Sequence, residues 1–324
     1  MTETRETFTA RGIPDLLDLL PVLFGFAPRQ SFIAIATHGE RRRFGFRLRM
    51  DMPSSEHVAE AAAQIAAHLR HQDPDGAVLD AVTDCGPVAD ALVVAVTAEL
   101  GDIPVLDAVR TDGESYWAYR HGRPGEALPY FGQVSAAVVG AVVGGMQILP
   151  DRETLVARFA PVSWRRKAVM TVATDEVLGL ALRELSETPR ADLGVVGIAR
   201  LQPIIDAHTA GRQLSDTELA TLAIWVSSIG VRDEIWAQMQ RATAVGTLSL
   251  WTTVAQSVVA PFEPPVLCLA AFAAWLVGDG AQALIAVERT LQVEPGYSMA
   301  QLILQMLDSG FSPERWVGFD TGSS

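Results

Sequence analysis

The chain has 324 residues, 49% of them hydrophobic and 19% charged, which is enough apolar material for a sizeable core and excludes a disordered chain. Its formal net charge of −13 opposes nonspecific binding to nucleic acid or anionic membrane. The two cysteines, Cys85 and Cys268, are too few and too far apart for a disulfide framework or a multi-cysteine zinc site.

At the start, acids and hydroxyls (Thr2, Glu3, Thr4, Glu6) stand where a secretory signal needs a basic residue and an apolar core. The most apolar stretches, 134–149 and 266–278, fall short of the ~20 residues of a spanning helix. The expectation is a cytoplasmic protein with no membrane partner. Residues 13–24 then set Leu16, Leu17, Leu19, Leu20 and Leu23 on a helical stripe, with Pro14 suited to the first turn and Pro21 placed to kink or end the helix. Residues 31–36 and 44–50 predict a β-hairpin turning at His38-Gly39-Glu40-Arg41; its second strand alternates Phe44, Phe46, Leu48 and Met50 with arginines. The spacing of Val58, Ala62, Ile65, Ala66 and Leu69 predicts a helix that stops at Asp73-Pro74-Asp75-Gly76. Strand 77–83, helix 87–100 and strand 103–109 follow, the order of a parallel crossover unit. A further strand is expected at 116–119, and helices at 133–145 and 151–159.

Beyond Pro161 the pattern is helical, with segments at 164–185, 216–228, 233–242 and 247–259 and an irregular connection over 188–211. The reading is an α/β domain over 1–160, a mixed sheet with a hairpin and a βαβ unit, followed by an all-α domain over 161–324. Near the C-terminus Ala271, Gly278, Ala283, Leu291 and Pro295 fall at the small and turn positions of a tetratricopeptide repeat. One such unit is a helix pair, since stacked repeats need about three to stand alone.

The common catalytic signatures are absent: there is no phosphate loop, dinucleotide fingerprint, nucleophile elbow or His-Glu-x-x-His zinc helix. His68, His71 and Asp73 could reach one metal from a helix face, but a solvated face is the simpler reading, and no metal or other cofactor is expected. The polar set at the strand ends carries more chemistry, because ligands of open α/β sheets favour the crevice beyond the carboxyl ends of parallel strands. Asp84 ends one such strand, Arg110 and Asp112 end the next, and Trp117, Tyr119 and His121 follow with flat faces and polar tips. Arg110 suits a carboxylate or phosphate; the bland alternative is a structural ion pair with Asp112. Arg49 and Asp51 repeat the spacing. Two basic runs, 41–43 and 165–167, are set against nucleic acid by the whole-chain charge.

Several segments in order resemble an uncharacterised actinobacterial family, domain of unknown function 4192. They are Asp15-Leu-Leu with Pro21 and Gly25-Phe-Ala-Pro28, Arg49-Met-Asp51-Met-Pro53, Val109-Arg-Thr-Asp112 with Trp117 and Tyr119, Leu149-Pro-Asp-Arg152, and Ala273 to Gly280 with Pro295-Gly-Tyr297. The resemblance implies kinship without an activity. Relatives commonly carry a cysteine cluster after the Trp/Tyr segment; here 120–126 has none, which removes the metal role that cluster would imply. The first functional expectation is a non-enzymatic module with a protein partner or self-association and no catalytic residues. The alternative is a small-molecule binder or enzyme meeting an anionic ligand at the strand-end set.

Overall fold

The structure, a computed structural model, describes residues 10–132, 136–143 and 148–318 and divides into two units, 1–154 and 155–324. In the first unit, α1 (Ile13–Phe24) runs through Pro21 and ends on Gly25 in the left-handed conformation, so the expected break at the proline is not made. Strands β1 (Ser31–His38) and β2 (Arg43–Asp51) form the expected antiparallel hairpin. Then come α2 (Val58–His71), β3 (Gly76–Val82), α3 (Gly86–Leu100), β4 (Val105–Thr111) and β5 (Ser115–Arg120), with short β6 (Arg123–Pro124) and β7 (Leu128–Pro129) both paired to β5. Helices α4 (Ala136–Val143) and α5 (Arg152–Ala157) follow; the rest of the helix expected over 133–145 lies outside the described residues.

The sheet runs β2-β1-β3-β4-β5-β6, with only β3 and β4 parallel, as the intervening helix requires. Register assigns each face. Phe32, Ala34 and Ala36 of β1, Leu79 and Ala81 of β3 and Ala108 of β4 pack beneath Ile65 and Leu69 of α2 and Leu92 and Val96 of α3. The other face carries the row Arg49, Ile33, Asp80, Val109 across β2, β1, β3 and β4. The Asp80 carboxyl thus stands between Ile33 and Val109 in that row.

The second unit is helical: α6 (Trp164–Glu187), α7 (Leu193–Thr209), α8 (Asp216–Trp225), α9 (Ile229–Ala237), α10 (Ala244–Ala255), α11 (Glu263–Val277), α12 (Gly280–Val293) and α13 (Ser298–Asp308). The 188–211 segment, expected to be irregular, is mostly α7. It contains Gly194, Gly197 and Pro203, and Gly197 is buried against Val231 of α9, where an added Cβ would stand 2.5 Å from a valine methyl. The glycine admits a close helix approach, and that packing outweighs its low helix propensity. Helices α11 and α12 turn at Gly278 and pack as a hairpin, the expected pair. All thirteen residues from Pro264 to Leu276 are buried, so α11 is apolar on every side and presents no groove. No helix among the described residues is long and apolar enough to cross a membrane.

Candidate functional site

The parallel pair β3 and β4 brings the strand-end residues to one end of the sheet, and alternation then separates them. Arg110 pairs across to Trp117 on β5, so both side chains, and Tyr119 two residues on, lie on the α3 face. The guanidinium lies over the Trp117 ring, 4.0 Å from its centroid. The backbone of Gly86, the first residue of α3, also passes close to it, so that an added Cβ would fall 1.8 Å from an Arg110 Nη. Glycine at 86 therefore keeps the start of the helix against the cation. The first turn of α3 has Pro87 and no side-chain cap. Tyr119 donates to the Asp90 carboxylate, and burial followed by that bond raises its pKa.

Among the described residues Arg110 makes no ion pair and no hydrogen bond, and its Nε is buried. Asp112, the partner of the bland reading, is otherwise engaged: its Oδ1 accepts from the backbone N–H groups of Glu114 and Ser115 at 2.9 and 2.7 Å. Burial works against its charge, but those two bonds and the field of Arg110 hold the carboxyl below the usual range. Asp84 accepts from Gln30 Nε2 at 2.7 Å, and Thr83 donates to Gln30 Oε1 at 2.6 Å, which ties the β3 end to the loop before β1. His121 sits exposed at positive φ in the turn between β5 and β6. Of the six strand-end residues, Arg110, Trp117 and Tyr119 share a face, while Asp84, Asp112 and His121 occupy turns. Arg49 belongs to the opposite face and has an acidic partner, donating to Ser31 Oγ at 2.9 Å and contacting Asp51 at 2.6 Å.

Asp80 is the residue that sequence reading missed. It is 0% exposed and neither carboxylate oxygen has a hydrogen-bond partner. Burial, reinforced by Asp107 on the same face, pushes its pKa up to about 8. Its signal is an acid at the centre of the apolar run Val78-Leu79-Asp80-Ala81-Val82.

Two cavities, of about 620 and about 450 Å³, lie in the second unit, and neither is lined by strand-end residues. A model of the domain of unknown function DUF4192 matches residues 14–314. The chain belongs to the DUF4192 family. No curated protein and no solved structure matches it. Membership of DUF4192 supplies no reaction, so the chemistry of this DUF4192 chain is argued from its own side chains.

Proposed function

We propose that the first unit of this DUF4192 protein binds a small carboxylate- or phosphate-bearing molecule, with Arg110 as the recognising cation. The observation that carries the reading is a guanidinium stacked on Trp117 with no acidic partner, beside the uncapped start of α3. An unpaired, partly buried arginine is costly unless something completes its hydrogen bonds, and its planar fork matches carboxylate and phosphate. A helix N-terminus adds favourable potential for the same charge. The reading is of binding, and no reaction is assigned to the site. It is tested with Arg110→Met, which keeps an aliphatic chain on the tryptophan and removes the charge. Inorganic phosphate or citrate at tens of millimolar should raise the thermal midpoint of the first unit by ~2–5 °C in the parent, and this gain should vanish in the variant. Equal gains in both proteins would reduce the effect to salting-out and sink the proposal.

A second reading, self-association, is favoured by α6. Val169, Val172 and Leu180 are 49%, 59% and 52% exposed, and their spacing puts them on one helix face. A second copy of the chain is the occupant this reading names. Sedimentation velocity should then show a concentration-dependent dimer that Val172→Glu weakens ~10-fold or more, since burying an unpaired carboxylate is strongly unfavourable; a parent that stays monomeric removes the reading. Both readings take the protein to act in the cytoplasm.

A further inference from the structure

The about 620 Å³ cavity of the second unit has walls from α6, the end of α7 and the turn after it, α8 and α10. Its volume falls in the range of small-molecule sites, ~300–1,000 Å³, but its chemistry departs from the usual apolar lining. Nine of the twelve lining residues are polar, and the apolar side chains are Leu214 and Leu219, both buried.

The charged groups of the wall are already paired, Arg166 with Asp216 of the wall and Arg212 with the adjacent Glu218. Arg166 contacts Asp216 at 2.7 Å and donates to Ser257 Oγ at 2.9 Å. Arg212 makes a two-pronged pair with Glu218 at 3.0 and 2.6 Å, and its hydrogen bonds, the first cause, take the Glu218 pKa down to about 2. His208 lies 3.2 Å from Ser249 Oγ, and burial lowers its pKa, which favours the neutral ring. An entering anion would compete with two carboxylates already in place and face Asp216; an entering cation would face two guanidinium groups. Neither sign of charge meets an unpaired counter-charge in the wall.

What remains unspent is neutral. The side-chain amides of Gln213 and Gln256 make no hydrogen bond among the described residues. Thr253 donates to the Ser249 carbonyl and keeps its acceptor lone pairs. Ser257, 5% exposed, accepts from Arg166 and retains a hydroxyl proton to donate. Contacts from other helices hold two of the hydroxyls before any ligand arrives, Ser257 through Arg166 and Ser249 through His208, and Thr253 is fixed within α10, while the exposed amides of Gln213 and Gln256 are ordered on binding.

We propose that this cleft binds an uncharged, hydroxyl-rich small molecule, of the size of a sugar or cyclitol, through the hydroxyls and amides of Gln213, Ser249, Thr253, Gln256 and Ser257. The inference is independent of the Arg110 site. The test uses the full chain, with the His208 imidazole resonances assigned through His208→Gln and followed by NMR during titration with glucose, maltose and myo-inositol. Inorganic phosphate and indole serve as the charged and apolar comparators. At least one polyol should shift the His208 signals saturably. The double variant Ser249→Ala/Gln256→Ala changes two exposed side chains, leaves the buried floor untouched, and should weaken that binding ~10-fold or more. The assignment is overturned if phosphate or indole binds there and the polyols do not, if no polyol shifts the signals at tens of millimolar, or if the double variant, shown folded by circular dichroism, binds as tightly as the parent.

Discussion

Replacing Asp80 by asparagine should make the first unit more stable at pH 8, against the usual direction for a change at a fully buried site. The parent carboxyl has no hydrogen-bond partner and a pKa pushed up to about 8 by burial and by Asp107. The folded state therefore holds a proton that the unfolded chain, with a carboxyl near pH 4, releases. A raised folded pKa fixes the sign: the proton-linked stability is fully present below about pH 4 and is lost progressively as the pH rises to about 8. Asparagine has nearly the same shape and no such linkage. The stability difference between variant and parent should widen by on the order of 3–4 kcal/mol from pH 5 to pH 8. Hydrogen exchange of the β1 and β3 amides, corrected for the pH dependence of intrinsic exchange, measures this without requiring both units to unfold together. Parallel profiles would show that Asp80 is not protonated in the native sheet.

In the second unit the largest loss is expected from Phe272→Ala. The Phe272 ring, 1% exposed, meets Trp236 edge-on at 5.4 Å, Trp316 edge-on at 5.3 Å and Trp275 at 5.2 Å. Truncation removes one partner from three tryptophans at once and leaves a void that rigid rings fill poorly. The expected cost is ~3–5 kcal/mol, with the aromatic pairs adding to the lost burial. Intrinsic fluorescence reports the transition directly, because six of the seven tryptophans lie in this unit. A loss under ~1 kcal/mol would mean that the surrounding rings collapse into the space, which their mutual contacts oppose.

Legibility in the sequence followed physical locality. The hairpin, α2, the β3-α3-β4 crossover and most helices of the second unit have strong periodicity and ordinary stops, and they lie where the pattern puts them. What periodicity does not carry is which neighbour a strand chooses: β1 sits between β2 and β3, an arrangement set by the whole sheet. Helix α7 falls in the stretch expected to be irregular; it contains Gly194, Gly197 and Pro203, and Gly197 serves contact with α9. At the candidate site, Arg110, Trp117 and Tyr119 could be listed from strand ends. Their sharing a face while Asp84, Asp112 and His121 turn away depends on register and on local turn bonding, and so does the separation of Arg49 from Arg110. The second-unit cleft draws on α6, α7, α8 and α10, and its clearest local trace is the Ser215-x-x-Glu218 capping box beside it.

The burial of α11 on every side has a consequence for the order in which the chain acquires structure. A growing chain that has produced Glu263–Val277 but not yet α12 and α13 holds a fully apolar helix with part of its cover missing. Until those segments fold back, the side of α11 that α12 and α13 cover is open to water or to other chains. Truncation before Gly280 should therefore yield aggregated protein even though most of the helices are present. In that sense the C-terminal forty-odd residues protect the solubility of the second unit as well as adding to its stability.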